Sequence, residues 1–325
     1  MTIHFSLEKT SQAKSAYNKK SQKAYDWLNT VPWGVFGIDA SDGIDFQEIL
    51  NLQIAVGVDA DGLVGLGTLR ATQSMLKNRH EQLWNPITGQ LHDIDPFSQL
   101  NHVLWKGLEV PLLTVESCPI YTYKHSEGLN LHDTGSFTKK SRKINSAIVH
   151  WGGLNPQHLA RVFSNRKASS HFAVGISEDS GEIAIYQYLD VAHVAWHAKG
   201  ANENSIGIDI CQQPEVKHLG YYSNRGYDVK TISNPSAPTY GPSKIVSLEP
   251  RILKATAEFL GGLYQAFEIP HYIPSMEAGK LQEGEHINGG IFSHFHVDFK
   301  GQGKWDVAPW WDSIVEEFHQ SKSIM

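Results

Sequence analysis

Apolar positions repeat with two different periods along the chain. Over 45–77 the period is helical: Phe46, Ile49, Leu50 and Gln53 share one face, and Leu69, Thr72 and Leu76 mark a second run that begins near Thr68. The glycines between the runs (Gly62, Gly65, Gly67) permit positive φ and so a tight loop. From Ser146 the pattern is β-prone. Ser146–Trp151 ends in Gly152-Gly153, and Asn155-Pro156 then supplies an N-cap and a first helical residue for a helix burying Leu159, Val162 and Phe163. The runs 171–176 and 182–189 flank Ser177-Glu178-Asp179-Ser180-Gly181, a hairpin pattern, and 205–210 is a further strand. Residues 213–246 are rich in Pro, Gly, Ser and Tyr and read as a long surface loop. Ile252, Leu253, Phe259, Leu260, Leu263, Tyr264 and Phe267 then trace a strong amphipathic helix.

Strands alternating with helices predict an α/β domain over 141–325, a mixed β-sheet flanked by helices. A small all-α domain is expected over 1–80, with 1–25 a frayed arm or a first helix. Between them Pro96, Pro111 and Pro119 interrupt every periodic run, so 81–140 reads as a linker and entry segment.

A length of 325 residues fits two domains, and 41% hydrophobic with 19% charged residues is the balance of a folded chain. No apolar run approaches the ~18 residues of a membrane helix, so membrane insertion is not expected. Met1 to Lys23 is polar and lacks the apolar core of a secretory signal, so the expected place of synthesis is the cytoplasm. The net charge of −6, with no long basic run, argues against nucleic acid as the main partner. Cys118 and Cys211 cannot build a CxxC zinc site; they read as plain thiols, with one bridge left open.

The 17 histidines direct attention to chemistry near neutral pH. In the stretch from Ser293 to Asp306, His296 has Lys304 and Asp306 at +8 and +10, across a glycine-rich loop able to fold back. His150, at the end of a strand beside Gly152-Gly153, is a well-placed third donor. Two imidazoles and a carboxylate suit Zn²⁺ and leave a fourth position for water, as a hydrolase requires. The competing reading is a buried strand histidine and a loop histidine. His294 would share a face with His296 on a strand and competes as a donor, but it lacks the +8/+10 partners.

Five blocks occur in an order that resembles the zinc-dependent N-acetylmuramoyl-L-alanine amidases, which include the peptidoglycan recognition proteins and AmpD-type enzymes. They are Ile148-Val149-His150, Ser170-His171-Phe172, Ala195-Trp196-His197-Ala198, Asn204-Ser205-Ile206-Gly207-Ile208-Asp209, and the segment from His296 to Lys304-Trp305-Asp306. The resemblance implies zinc held by His150, His296 and Asp306, with Lys304 stabilising the oxyanion. It also implies Asp209 as proton carrier, in a place where the family usually has Glu, and His197 and Trp196 near the substrate cleft; Trp305, Trp310 and Trp311 are aromatic candidates for packing sugar faces, with the core as their competing place. Asp61-Gly62, Gly65, Thr68 and Ala71 look like the motif of three-helix peptidoglycan-binding domains, which implies Thr68 as the cap of the last helix, the run that begins near it. The function so implied is hydrolysis of the amide between N-acetylmuramic acid and L-alanine of peptidoglycan, by an endolysin acting on the cell wall. The rivals are a non-catalytic peptidoglycan-recognition protein and a zinc peptidase of the stem peptide.

Overall fold

The alternation of buried strands with amphipathic helices is realised as one six-stranded sheet carrying helices on both faces. The structure is a computed structural model and describes residues 30–41, 44, 46–79, 82–93, 101–140, 142–236, 241–282, 285–299 and 304–322. The expected arm or helix over 1–25 lies outside the described residues.

The chain divides into two compact units, Met1–Leu100 with Lys106–Pro111, and Asn101–Trp105 with Leu112–Met325. The first contains helices α1 (Phe46–Ala55) and α2 (Leu66–Arg79), as the helical period predicts, followed by the antiparallel strands β1 (Gln82–Trp84) and β2 (Leu91–Asp93). Gln53 of α1 is buried and organises the loop to α2. Its Nε2 donates to Asp61 Oδ1 (2.8 Å) and Leu63 O (3.1 Å), and its Oε1 accepts from Gly62 N–H (2.8 Å). Gly62 has φ +71°, and a Cβ there would lie 2.0 Å from the Phe46 ring, so only glycine fits. Thr68 does not cap α2. It lies inside the first turn, because Leu69 N–H already donates to Gly65 O (3.2 Å).

The stretch 81–140 is not a separate linker. Gln73 of α2 donates to Trp84 O (3.4 Å) and Glu109 O (2.5 Å) and accepts from Glu109 N–H (3.0 Å), drawing both segments into the first unit. The second unit takes the rest: Gln187 exchanges two 2.7 Å hydrogen bonds with the Leu104 backbone, and Asn101 donates to Val115 O and Cys118 O.

In the second unit the six-stranded sheet is made of β3 (Ile120–Tyr121), β4 (Ser146–Trp151), β5 (Phe172–Ile176), β6 (Ile183–Gln187), β7 (Ser205–Ile210) and β8 (Gly290–Ser293), in the order β8-β4-β7-β5-β6-β3. Strands β8, β4, β7 and β5 are mutually parallel, while β6 runs against β5 and carries β3 parallel to itself. The sheet is therefore mixed, as expected. Nearly every strand residue is buried, as a sheet covered on both faces requires.

Successive residues show which helix covers which face. Phe172 meets Phe259 of α4 (Pro250–Ala266), with ring centroids 4.8 Å apart, whereas Ala173 packs with Leu159 of α3 (Pro156–Ser164). Asn155 caps α3 by accepting from His158 N–H (2.7 Å), with Pro156 at the first helical position. The C-terminal helix α5 (Trp311–Lys322) packs on α4. Cys118 and Cys211 are both free and buried. Within 213–246 there are short helical turns and the strand pair Thr231–Ser233 with Lys244–Val246, so the loop has structure of its own. Among the described residues no helix is long and apolar enough to cross a membrane.

Candidate metal centre

Three adjacent parallel strands bring chemistry to one row at their C-terminal ends. Asp209 of β7 is in register with His150 of β4, and also with Ala173 of β5. Ser293 ends β8 opposite Val149, and His294 N–H continues the ladder to Val149 O (2.9 Å). The next position in register places His294 beside His150. The row His294, His150, Asp209 thus lies on the face covered by α3, at the carboxyl edge where parallel sheets present their ligands.

Asp306 completes the group from the segment before α5. His294 Nδ1 lies 2.8 Å from Asp306 Oδ2, His150 Nδ1 lies 3.6 Å from the same oxygen, and the two Nδ1 atoms are 3.0 Å apart. One donor atom from each residue falls within 4.8 Å of the others. Two imidazole nitrogens and a carboxylate oxygen form a donor set suited to Zn²⁺, with one position left open. The charge state suits it as well, since metal ligands must be deprotonated. Burial lowers the His150 pKa to about 4, helped by His294 and opposed by Asp306. Burial alone would raise Asp306, but hydrogen bonds to His150 and His294 hold its carboxyl well below the usual range.

His296 is not brought to this group. After Ser293 the chain leaves the strand in a succession of turns, with His296 N–H donating to Ser293 O (3.0 Å) and Val297 N–H to His294 O (3.2 Å). Residues two apart then no longer share a face. The His296 ring turns inward, fully buried. Its Nδ1 accepts from Ser293 N–H (3.2 Å) and lies 2.8 Å from Ser293 Oγ, its Nε2 donates to Ser275 O (3.2 Å), and the ring sits 5.4 Å from that of Trp311. Burial takes its pKa to about 4, so it is a neutral core histidine. A sequence signal for His294 does exist. It directly follows a buried strand, as His150 stands near the end of one.

Of the remaining expected residues, Trp196, His197, Asp209 and Lys304 line a cleft of about 420 Å³. Leu159, Val162 and Phe163 of α3 form one wall, and Trp196, His197 and Lys304 stand along the rest. Asp209 opens into it although nearly buried, and burial raises its pKa to about 7, with Ser170 opposing and Asp306 adding to the rise. Gly152 makes room for that carboxylate: a Cβ there would lie 2.5 Å from Asp209 Oδ1. Trp196 is 42% exposed, and its indole N–H donates to Thr138 Oγ1 (3.2 Å). Trp305 does not line the cleft. It packs edge-on against Trp151, which does (centroids 4.4 Å), and over Gly241. Trp310 and Trp311 are core residues. His171 is structural: its Nδ1 accepts Gly207 N–H (2.9 Å) and its Nε2 donates to His193 O (2.9 Å).

Sequence reasoning missed the groups that hold this arrangement. Asp298 accepts from Lys304 N–H (3.1 Å) and from Lys280 Nζ (2.8 Å), pinning the segment that returns toward Asp306. Gly152 and Gly207 carry no chemistry of their own, so spacing alone does not mark them.

The family described as N-acetylmuramoyl-L-alanine amidase matches residues 127–307. Solved structures similar to this chain include a mutant endolysin from Bacillus subtilis, 17% identical with a TM-score of 0.37 over 62% of this chain and 99% of that one. The Staphylococcus aureus hydrolase AmiA, in complex with its ligand, is 13% identical with a TM-score of 0.36, over 62% of this chain and 84% of that one. The N-acetylmuramyl-L-alanine amidase AmiD from E. coli, in complex with the substrate anhydro-N-acetylmuramic acid-L-Ala-D-gamma-Glu-L-Lys, is 16% identical with a TM-score of 0.33, over 55% and 58%. Among curated proteins none matches the chain.

Proposed function

Because the chain belongs to the N-acetylmuramoyl-L-alanine amidase family, we propose that it cleaves peptidoglycan between N-acetylmuramic acid and L-alanine, with zinc held by His150, His294 and Asp306. The observation that carries this reading is the row of His294, His150 and Asp209 on adjacent strand ends, joined by Asp306, all four lining one cleft. His294 takes the ligand role that the sequence pattern gave to His296.

A zinc ion at these donors would supply Lewis acidity, bringing the pKa of water toward ~7. The chain's own residues do the rest. Asp209, with its pKa raised to about 7, takes a proton from the attacking water and passes it to the departing alanine nitrogen as the C–N bond breaks. Lys304 lines the same cleft and offsets the charge that builds on the carbonyl oxygen. Trp196 presents an exposed aromatic face at the rim for a sugar or stem-peptide group. The first unit, with its Asp61-Gly62 loop, serves as a peptidoglycan-binding module that raises the effective concentration at the polymer.

Purified peptidoglycan incubated with the protein should release material with new amino-terminal alanine, and a chelator should stop it. Binding and bound zinc without new amino termini would make this a recognition protein. New ends inside the stem peptide would make it a peptidase.

A further inference from the structure

We propose that His197 is a positioning residue for the metal centre: it accepts the His150 Nε2–H and so fixes the tautomer that turns His150 Nδ1 toward the ion. This rests on the reading of His150, His294 and Asp306 as ligands.

His150 Nδ1 is the atom facing His294 and Asp306, while its Nε2 lies 3.0 Å from His197 Nδ1. A neutral imidazole carries one N–H, so a lone pair on Nδ1 requires the proton on Nε2 and an acceptor for it. His197 Nδ1 is that acceptor. The His197 proton then sits on Nε2, 3.2 Å from Ser205 Oγ, and the Ser205 hydroxyl donates to Ala201 O at 2.5 Å. The Ala201 carbonyl can only accept. It therefore sets the direction of every hydrogen bond back to His150.

The ring is also held in place. Asn202 Oδ1 accepts from both His197 N–H (3.1 Å) and Ala198 N–H (2.7 Å), fixing the backbone. Gly207 of β7 provides the seat, since a Cβ there would lie 2.6 Å from His197 Cγ. Although His197 borders the cleft, both its ring nitrogens are engaged within the protein, which leaves neither to bind substrate.

The test compares zinc affinity, by competition with a chromophoric chelator, in the wild type, His197→Phe, His197→Asn and Ser205→Ala. Loss of an outer partner of a ligating histidine weakens metal binding roughly 10- to 100-fold, which is the expected result for His197→Phe. His197→Asn can place an amide oxygen where Nδ1 stood and should restore most of the affinity. Ser205→Ala should weaken binding in the same direction but less, and keeps the test available if His197→Phe does not fold. Nitrogen-15 shifts of the metal-free wild type should show His150 protonated at Nε2. A folded His197→Phe with unchanged zinc affinity and a raised KM would overturn the proposal, as would a His150 protonated at Nδ1. A wild type that takes up no zinc would overturn the ligand reading itself, leaving the tautomer assignment to be decided by the nitrogen-15 shifts.

Discussion

Asp209 illustrates how one side chain's environment sets its task. A carboxyl in water titrates near 3.9, where it is a poor base, but burial between β4 and β5 brings Asp209 to about 7. Asp209→Asn keeps the size and hydrogen-bonding shape yet cannot take a proton. It is expected to retain zinc and lose roughly 10²- to 10⁴-fold in turnover, the usual worth of a general base. Comparable kcat in a zinc-loaded Asp209→Asn would remove Asp209 from the mechanism. Asp209→Glu is the complementary case. Its extra methylene must fit against Gly152, where Oδ1 already lies within 2.5 Å of the place a Cβ would take. Gly152→Ala should act from the other side, displacing the carboxylate and costing up to about 100-fold, as a misplacement near 1 Å does. Wild-type turnover in Gly152→Ala would show that the contact is slack.

Elements explain which parts of the site could be read in advance. Strand β4, the capped helix α3, the hairpin of β5 and β6, strand β7 and helix α4 all have side-chain periods that survive folding, and each is found close to its expected place. His150 is legible from its place at a strand end and Asp209 only through the family resemblance; the parallel register that sets them side by side is not written in either segment alone. The choice between His294 and His296 is not legible, because the rule that residues two apart share a face holds only while the strand continues. It stops at Ser293, and the turns that follow send His296 into the core. The +8 and +10 spacing to Lys304 and Asp306 is a matter of chain length, not of side-chain direction. The stretch 81–140 was opaque for another reason. Its strands have at most four residues, and the Gln73 and Gln187 side chains that tie neighbouring segments into the units are polar groups with no period. At the N-terminus of α3, Asn155→Ala should cost about 1 kcal/mol, typical of a lost N-cap. An unchanged urea midpoint would deny the cap a role.

At the scale of the molecule the buried histidines govern the response to pH. His171 and His197 have pKa values well below the ordinary value of 6.5, burial being the main cause, and His296 lies at about 4. In the unfolded chain all three would titrate near 6.5, so below that pH the unfolded state binds more protons than the folded one. The stability that these three rings contribute is therefore complete above about pH 7 and falls as the pH drops toward 5, by up to about 1.4 kcal/mol per pH unit for each group, while Asp209, raised to about 7, opposes the three with the slope of one group. The urea midpoint of the chelator-treated protein, followed from pH 8 to pH 5, should decline through this window. A level or rising midpoint would mean that these rings are not neutral in the fold.

His150, His294 and Asp306 are expected to hold one metal ion together. Zinc content per chain, measured side by side on the purified wild type, His294→Ala and His296→Ala, tests this most directly. One zinc per chain is expected in the wild type and in folded His296→Ala, and none in His294→Ala. Zinc kept by His294→Ala and lost from a folded His296→Ala would contradict the assignment and return the ligand role to His296.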